Sequence, residues 1–196
     1  MPSTTLRAVN GLDASPATLA DAALVLIDYQ NTYTTGVMEL EGWRPALDAA
    51  AGLLARAREA GTPVIHVQHD GGEGSAYDIR ADIGAVHPSV APAEGEPVVV
   101  KNAPNSFVGT DLEERVRATG RQNLIVIGFM SHMCVSYTSE GAFLRGFTPT
   151  VVAEACATRD LPSVEGEVGA AQLHASAMAG IADLYGVVVA GADDVR

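Results

Sequence analysis

The chain has 196 residues, 47% of them hydrophobic and 18% charged, which excludes a disordered chain and leaves room for a large core. Its 12 Lys and Arg face 24 Asp and Glu, and the net charge of −12 excludes a role built on nucleic-acid phosphates or an anionic membrane surface. Two cysteines, Cys134 and Cys156, are too few for a disulfide scaffold. Met1 to Pro16 is mixed and polar, and no apolar run approaches the ~20 residues of a membrane span. The expectation is a cytoplasmic chain with both thiols reduced.

In chain order, the first apolar run is Leu24–Ile27, continuous rather than alternating, as in a strand covered on both faces. A helix is predicted over Pro45–Ala60, where Leu47, Ala50, Leu54 and Ala57 recur at helical spacing. Gly61 stops it and Pro63 opens a second strand, Val64–Val67. Gly71 to Gly95 is long, rich in Gly and Pro and weakly periodic, so it reads as a lid, a pocket wall, a contact surface or an idle excursion. A third strand, Val98–Val100, leads to a helix over Asp111–Ala118 with Thr110 as its candidate cap. A fourth strand, Leu124–Ile127, is followed by a helix over Val135–Leu144, then by a fifth strand, Thr150–Ala153. A last helix is predicted over Glu165–Leu184, capped by Ser163, before a sixth strand, Val187–Ala190. Such alternation implies right-handed crossovers and an α/β fold: a doubly wound, mostly parallel six-stranded sheet with helices on both faces, Rossmann-like. One domain over residues 1–196 is expected.

In open parallel sheets, ligands bind beyond the carboxyl ends of the strands. The first strand there delivers Asp28, the third Lys101, and the fourth leads through Gly128-Phe129-Met130-Ser131-His132-Met133 to Cys134. Each residue alone has an ordinary explanation: a turn aspartate, a solvated lysine, a small core cysteine. Three reactive groups aimed at one sheet edge form a constellation. A thiol is nucleophilic as the thiolate, and a helix N-terminus and Lys101 are both expected to lower the pKa of Cys134. Asp28 is placed to take the thiol proton and return it to a leaving group. No dinucleotide fingerprint or phosphate-binding loop appears, and Gly71-Gly72-Glu73-Gly74 carries the wrong sign for phosphate.

The sequence Leu26-Ile27-Asp28-Tyr29-Gln30-Asn31, then Lys101 with Asn105-Ser106-Phe107 and Thr110, then Gly128 to Cys134-Val135 and Thr138, resembles the isochorismatase-like cysteine hydrolases over nearly the whole chain. The resemblance implies an Asp28-Lys101-Cys134 triad that cleaves small amides through a thioester, or in some members the vinyl ether of isochorismate. It also implies a cis peptide at Phe129–Met130, aiming the backbone N–H groups of Met130 and Cys134 at an oxyanion. Tyr29, Asn31, His69, Phe107 and His132 are the candidates to shape a small-molecule pocket, with Trp43 and Tyr77 at its border. Ser131 stands where the family usually has Thr, and Ser139-Glu140 replaces a pair that often includes a base. Nicotinamidases of this superfamily hold a metal near the second strand. His66 and His69, three apart on a strand, should face opposite sides, so neither a metal nor any other cofactor is expected. Cys156, after the fifth strand, reads as core or support, and His174 as structural. A homo-oligomer is expected by analogy. An ether hydrolase and a non-catalytic binding protein remain open alternatives.

Overall fold

The computed structural model describes residues 3–196. A single helical turn, α1 (Leu6–Val9), precedes β1 (Ala22–Ile27), which is buried along its whole length. Alternate side chains of β1 enter two apolar layers: Ala22, Leu24 and Leu26 on one face, Ala23, Val25 and Ile27 on the other. A strand covered on both faces has no use for polar positions, which is why the run reads as continuously apolar. Helix α2 (Trp43–Ala60) lays Leu47, Ala50, Leu53, Leu54 and Ala57 on the first layer. Strands β2 (Val64–His69) and β3 (Val98–Lys101) follow, then α3 (Leu112–Ala118), β4 (Asn123–Phe129) and α4 (Ser136–Leu144). The chain continues through β5 (Thr148–Ala157), the short strands β6 (Leu161–Ser163) and β7 (Gly166–Val168), α5 (Ala170–Gly180) and β8 (Val187–Val189). Leu112 and Val116 of α3, Ala142 of α4 and Met178 of α5 fill the second layer, so helices cover both faces. The main sheet has the order β3-β2-β1-β4-β5-β8, and all of its pairings are parallel. No helix among the described residues is long and apolar enough to cross a membrane.

Three local departures from the sequence reading have physical causes. Strand β5 runs on past Ala153 to Ala157, and Cys156 lies inside it rather than after it. Glu154 interrupts the apolar run, but its carboxylate turns outward to accept the Ala192 N–H. The last helix does not begin at Glu165, because β6 and β7 pair there as an antiparallel hairpin. The Ser163 hydroxyl serves that hairpin, donating to the Gly166 carbonyl at 2.7 Å, while Asp160 accepts the Ala170 N–H of α5 at 2.7 Å. Finally, Ser131–Val135 forms a π turn that runs directly into α4, so Cys134 sits in that turn rather than just ahead of a regular helix.

Gly128 is required by its surroundings. Its φ is +149°, and a Cβ placed there would stand 2.2 Å from the Ile27 carbonyl oxygen. The β4–β5 register shifts between Val126 and Gly128. Strand β4 is thus pressed against β1 at the end where both strands hand over to functional loops.

Acid should loosen the fold. All five histidines, His66, His69, His87, His132 and His174, are held below their ordinary pKa, in each case chiefly by burial. Glu96, bonded by Arg58, the Ala93 N–H and His66, is pulled down to about 2. As pH falls below the usual histidine value, the unfolded chain takes up protons that the folded chain refuses, and stability drops. Glu96 extends the loss below the usual carboxylate value. Asp28, pushed upward by burial, acts in the opposite sense but alone. The melting temperature is expected to fall by about 5–10 °C between pH 7.5 and 5 in thermal denaturation followed by circular dichroism. A flat profile would contradict the burial of these rings.

Candidate active site

The sheet order reverses between β1 and β4, which opens a crevice at their carboxyl ends. Asp28 follows β1 with φ +54°, a left-handed conformation uncommon outside glycine but accessible to aspartate. Its N–H is held by the Val67 carbonyl at 2.9 Å and its carbonyl accepts the Gln30 N–H at 2.8 Å. Two strands away, Lys101 closes β3 and is aligned in register with His69 of β2.

Lys101 brings the groups together. Its ammonium has three N–H donors and three partners: Asp28 Oδ2 at 2.7 Å, Cys134 Sγ at 3.3 Å and His69 Nδ1 at 3.3 Å. The lysine and aspartate side chains are both 0% exposed, so the pair lies in a dry site where charges interact strongly. Among the described residues neither Asp28 oxygen has an aligned hydrogen-bond partner, and the 2.7 Å contact is an ion pair of poor alignment. The carboxylate therefore keeps unused acceptor capacity beside the thiol. His69 is held low by burial and then by Lys101, so it accepts from the lysine as a neutral ring.

The thiol differs from the sequence expectation. Burial, reinforced by Asp28, pushes Cys134 up to about 12 and outweighs the opposing pull of Lys101. Burial likewise raises Asp28 against the pull of Lys101. For Lys101, burial pulls down, but the Asp28 and Cys134 charges together carry it above its ordinary value. Two acids thus face one cation, and the charge of Asp28 disfavours ionisation of Cys134. A proton passing from sulfur to Asp28 changes which acid is charged without changing the charge of the site.

The Phe129–Met130 peptide is cis. Among the described residues no acceptor takes the Met130 N–H, while the Met130 carbonyl accepts from Met133 at 3.1 Å and Val135 at 3.2 Å. The turn is braced from two sides. Ser131 Oγ donates to the Ala157 carbonyl at 3.1 Å and meets His174 Nδ1 at 2.7 Å, so His174 ties α5 to this turn. His132 Nδ1 lies 2.6 Å from Thr158 Oγ1 at the end of β5. Tyr77 stands edge-on to His69 and Tyr33, with ring centroids at 5.0 and 5.7 Å, forming an aromatic wall. Tyr33 was missed in the sequence, where nothing but its nearness to Asp28 marks it.

Other sequence candidates lie elsewhere. Tyr29 sits in the core against Phe129, its hydroxyl donating to the Ala155 carbonyl, and does not face the crevice. Phe107 stacks on Phe147 in the second apolar layer, the layer that also holds Cys134. Asn31 is half-buried and donates to the Asp82 carbonyl at 2.8 Å, fastening the long loop. Trp43 stacks beneath Arg44 at the start of α2. A cleft of about 420 Å³ lined by Asp70, Gly71, Gly72, Val100, Asn102 and Gly109 borders Lys101 but leaves its side chain 0% exposed. A cleft of about 460 Å³ beside Cys156 and His174 touches none of Asp28, Lys101 and Cys134. The metal pattern does not assemble: His66 turns to Glu96 at 2.9 Å while His69 turns to Lys101. Among the described residues no three His, Cys, Asp or Glu side chains converge as metal ligands do.

Comparison with known proteins agrees with this fold. Residues 22–193 match the isochorismatase domain model. A crystal structure of an isochorismatase from Pseudomonas putida superposes with a TM-score of 0.96 at 40% identity, covering 100% of both chains. The secreted isochorismatase effector Isc1 of Verticillium dahliae is 33% identical over 188 residues, 95% of this chain and 97% of that one. Maleamate amidohydrolase of Pseudomonas putida is 31% identical over 154 residues, 70% of this chain and 72% of its own. A sheet whose reversal point gathers aspartate, lysine and cysteine, and a sequence that matches from β1 past β8, lead to one assignment: the chain belongs to the isochorismatase family.

Proposed function

We propose that this protein is a cysteine amidohydrolase that cleaves small, non-peptide amides through a thioester. The observation that carries the reading is the buried ammonium of Lys101, 2.7 Å from Asp28 and 3.3 Å from Cys134. Asp28 takes the thiol proton, and Lys101 holds the thiolate that forms. The sulfur attacks the carbonyl carbon, and the oxyanion is received by the N–H groups of Met130 and Cys134. Asp28 passes its proton to the departing nitrogen, and ammonia or an amine leaves. Water then gives a proton to Asp28 and attacks the thioester. The carboxylic acid departs, and the sulfur recovers its proton from Asp28. No metal or organic cofactor enters any step. The small amide is the only partner this chemistry requires, and the reading extends to a homo-oligomer working in the cytoplasm, where both thiols stay reduced.

Intact-protein mass spectrometry of wild type and Cys134→Ala, each mixed with a panel of primary amides and lactams, tests the proposal. An acyl adduct on the wild type alone, or ammonia released by the wild type alone, is the expected result. Silence in both signals across the panel would sink it. The raised proton affinity of Asp28 also suits a general acid, which favours vinyl-ether hydrolysis as the second reading. Isochorismate consumed by Cys134→Ala as fast as by wild type would establish that alternative.

A further inference from the structure

We propose that Ser106 and Thr138 are positioning residues, a hydrogen-bonded brace that sets the distance between the Lys101 ammonium and the Cys134 sulfur. The proposal rests on the reading of Cys134 as the nucleophile. Lys101 ends β3 and Cys134 follows β4, and the sheet order β3-β2-β1-β4 leaves two strands between them. No ladder of hydrogen bonds joins β3 to β4, so strand register alone does not fix the 3.3 Å contact of the two side chains. A direct link lies a few residues further along each segment. Ser106, in the loop that leaves Lys101, gives its N–H to Thr138 Oγ1 at 3.0 Å, and the two hydroxyls meet at 2.8 Å. Thr138 stands on the first turn of α4, into which the Cys134 turn runs.

Both hydroxyls are sealed from water, since Ser106 and Thr138 are 0% and 1% exposed. A helical Ser or Thr commonly turns its hydroxyl back to the carbonyl four residues earlier. Ser139 does so, donating to the Val135 carbonyl at 2.8 Å. Thr138, beside it, makes no such bond among the described residues and reaches across to the loop instead. One turn further on, α4 presses on the same loop: a Cβ at Gly141 would stand 2.6 Å from Asn105 Nδ2 and from its Oδ1. The loop is itself held in shape. Thr110 Oγ1 donates to the Ser106 carbonyl at 2.5 Å, and Asn105 Oδ1 accepts the Phe107 N–H at 2.9 Å. Removing the Thr138 hydroxyl leaves the buried Ser106 N–H without its acceptor, and the loop must move to find another. A retreat of the ammonium by about 1 Å weakens its hold on a thiolate by about fivefold to tenfold.

Alkylation of Cys134 by iodoacetamide, followed by peptide mass spectrometry from neutral to alkaline pH, tests the brace without any substrate. Thr138→Val is expected to slow alkylation at neutral pH by about fivefold to tenfold and to shift the reactivity profile upward in pH. Thr138→Ser keeps the hydroxyl and should stay within about threefold of the wild type. Ser106→Ala keeps the N–H bond and loses the other, so it should fall between the two. Unfolding would expose the sulfur and speed its alkylation, so a slowed reaction cannot come from loss of the fold. Ser139→Ala is the control: it removes an equally buried hydroxyl bonded within α4 and should leave the profile unchanged. On any amide the wild type hydrolyses, Thr138→Val should lower kcat and leave KM in place. A wild-type profile in Thr138→Val, the same slowing in Ser139→Ala, or a wild-type sulfur that is never alkylated overturns the proposal. Slowed alkylation in Thr138→Val, with no amide turned over by the wild type, would sink the amidohydrolase reading and leave the brace standing.

Discussion

Lys101→Met should abolish activity and weaken the fold, and the two losses should come apart in a second variant. Removing the ammonium takes away the partner of the thiolate, and kcat/KM on any amide the wild type hydrolyses is expected to fall by at least about 10³-fold. It also strands Asp28, whose side chain is 0% exposed, without its counter-charge. Breaking one side of a buried ion pair costs about 3–5 kcal/mol, because the remaining charge is left uncompensated. Asp28→Asn combined with Lys101→Met removes both charges and should regain most of that stability in urea denaturation, while activity stays lost. A double variant no more stable than Lys101→Met would mean that the pair is not the electrostatic unit its 2.7 Å contact describes.

Gly128→Ala is the second large effect. The added Cβ meets the Ile27 carbonyl oxygen at 2.2 Å and the Ile27 Cβ at 2.7 Å, and φ +149° is strained for any L side chain. The obstacle is backbone in the most buried strand, so no rotamer change relieves it. A loss of at least about 3 kcal/mol is expected, read as a fall in melting temperature of about 6–12 °C. Gly52→Ala, on α2 with nothing within 4 Å of its Cβ, is the control and should stabilise by about 0.5–1 kcal/mol. A Gly128→Ala protein as stable as its parent would show that β4 does not press on β1 as described.

The parallel core was legible because burial on both faces leaves long β-branched runs, and Asp28, Lys101 and Cys134 were legible because strand ends are where such sheets bind ligands. The structure brings those three residues together. What escaped the sequence depends on contacts between distant segments. Glu154 looked like the end of a strand because its partner, the Ala192 N–H, lies 38 residues on. That misplaced boundary removed Thr158 from the strand ends worth inspecting. Tyr29 looked like a pocket residue because it follows Asp28, yet its hydroxyl finds the Ala155 carbonyl 126 residues away. The Cys134 pKa went astray for a related reason. Lys101 pointed downward, but the burial that outweighs it is a property of the folded interior and of no residue alone.

Gln30 has a consequence for motion. Its side-chain amide donates to the Gly84 carbonyl at 2.8 Å in the long loop and to the His69 carbonyl at 2.9 Å, and its oxygen accepts the His69 N–H at 2.9 Å. One side chain thus clasps the loop and the residue that braces Lys101. Swinging the loop away breaks the bond to Gly84 and slackens the clasp on His69, and through it the lysine. The long loop at Gly84 and the strand end that carries His69 therefore share one fastening, and neither can shift without being felt by the other.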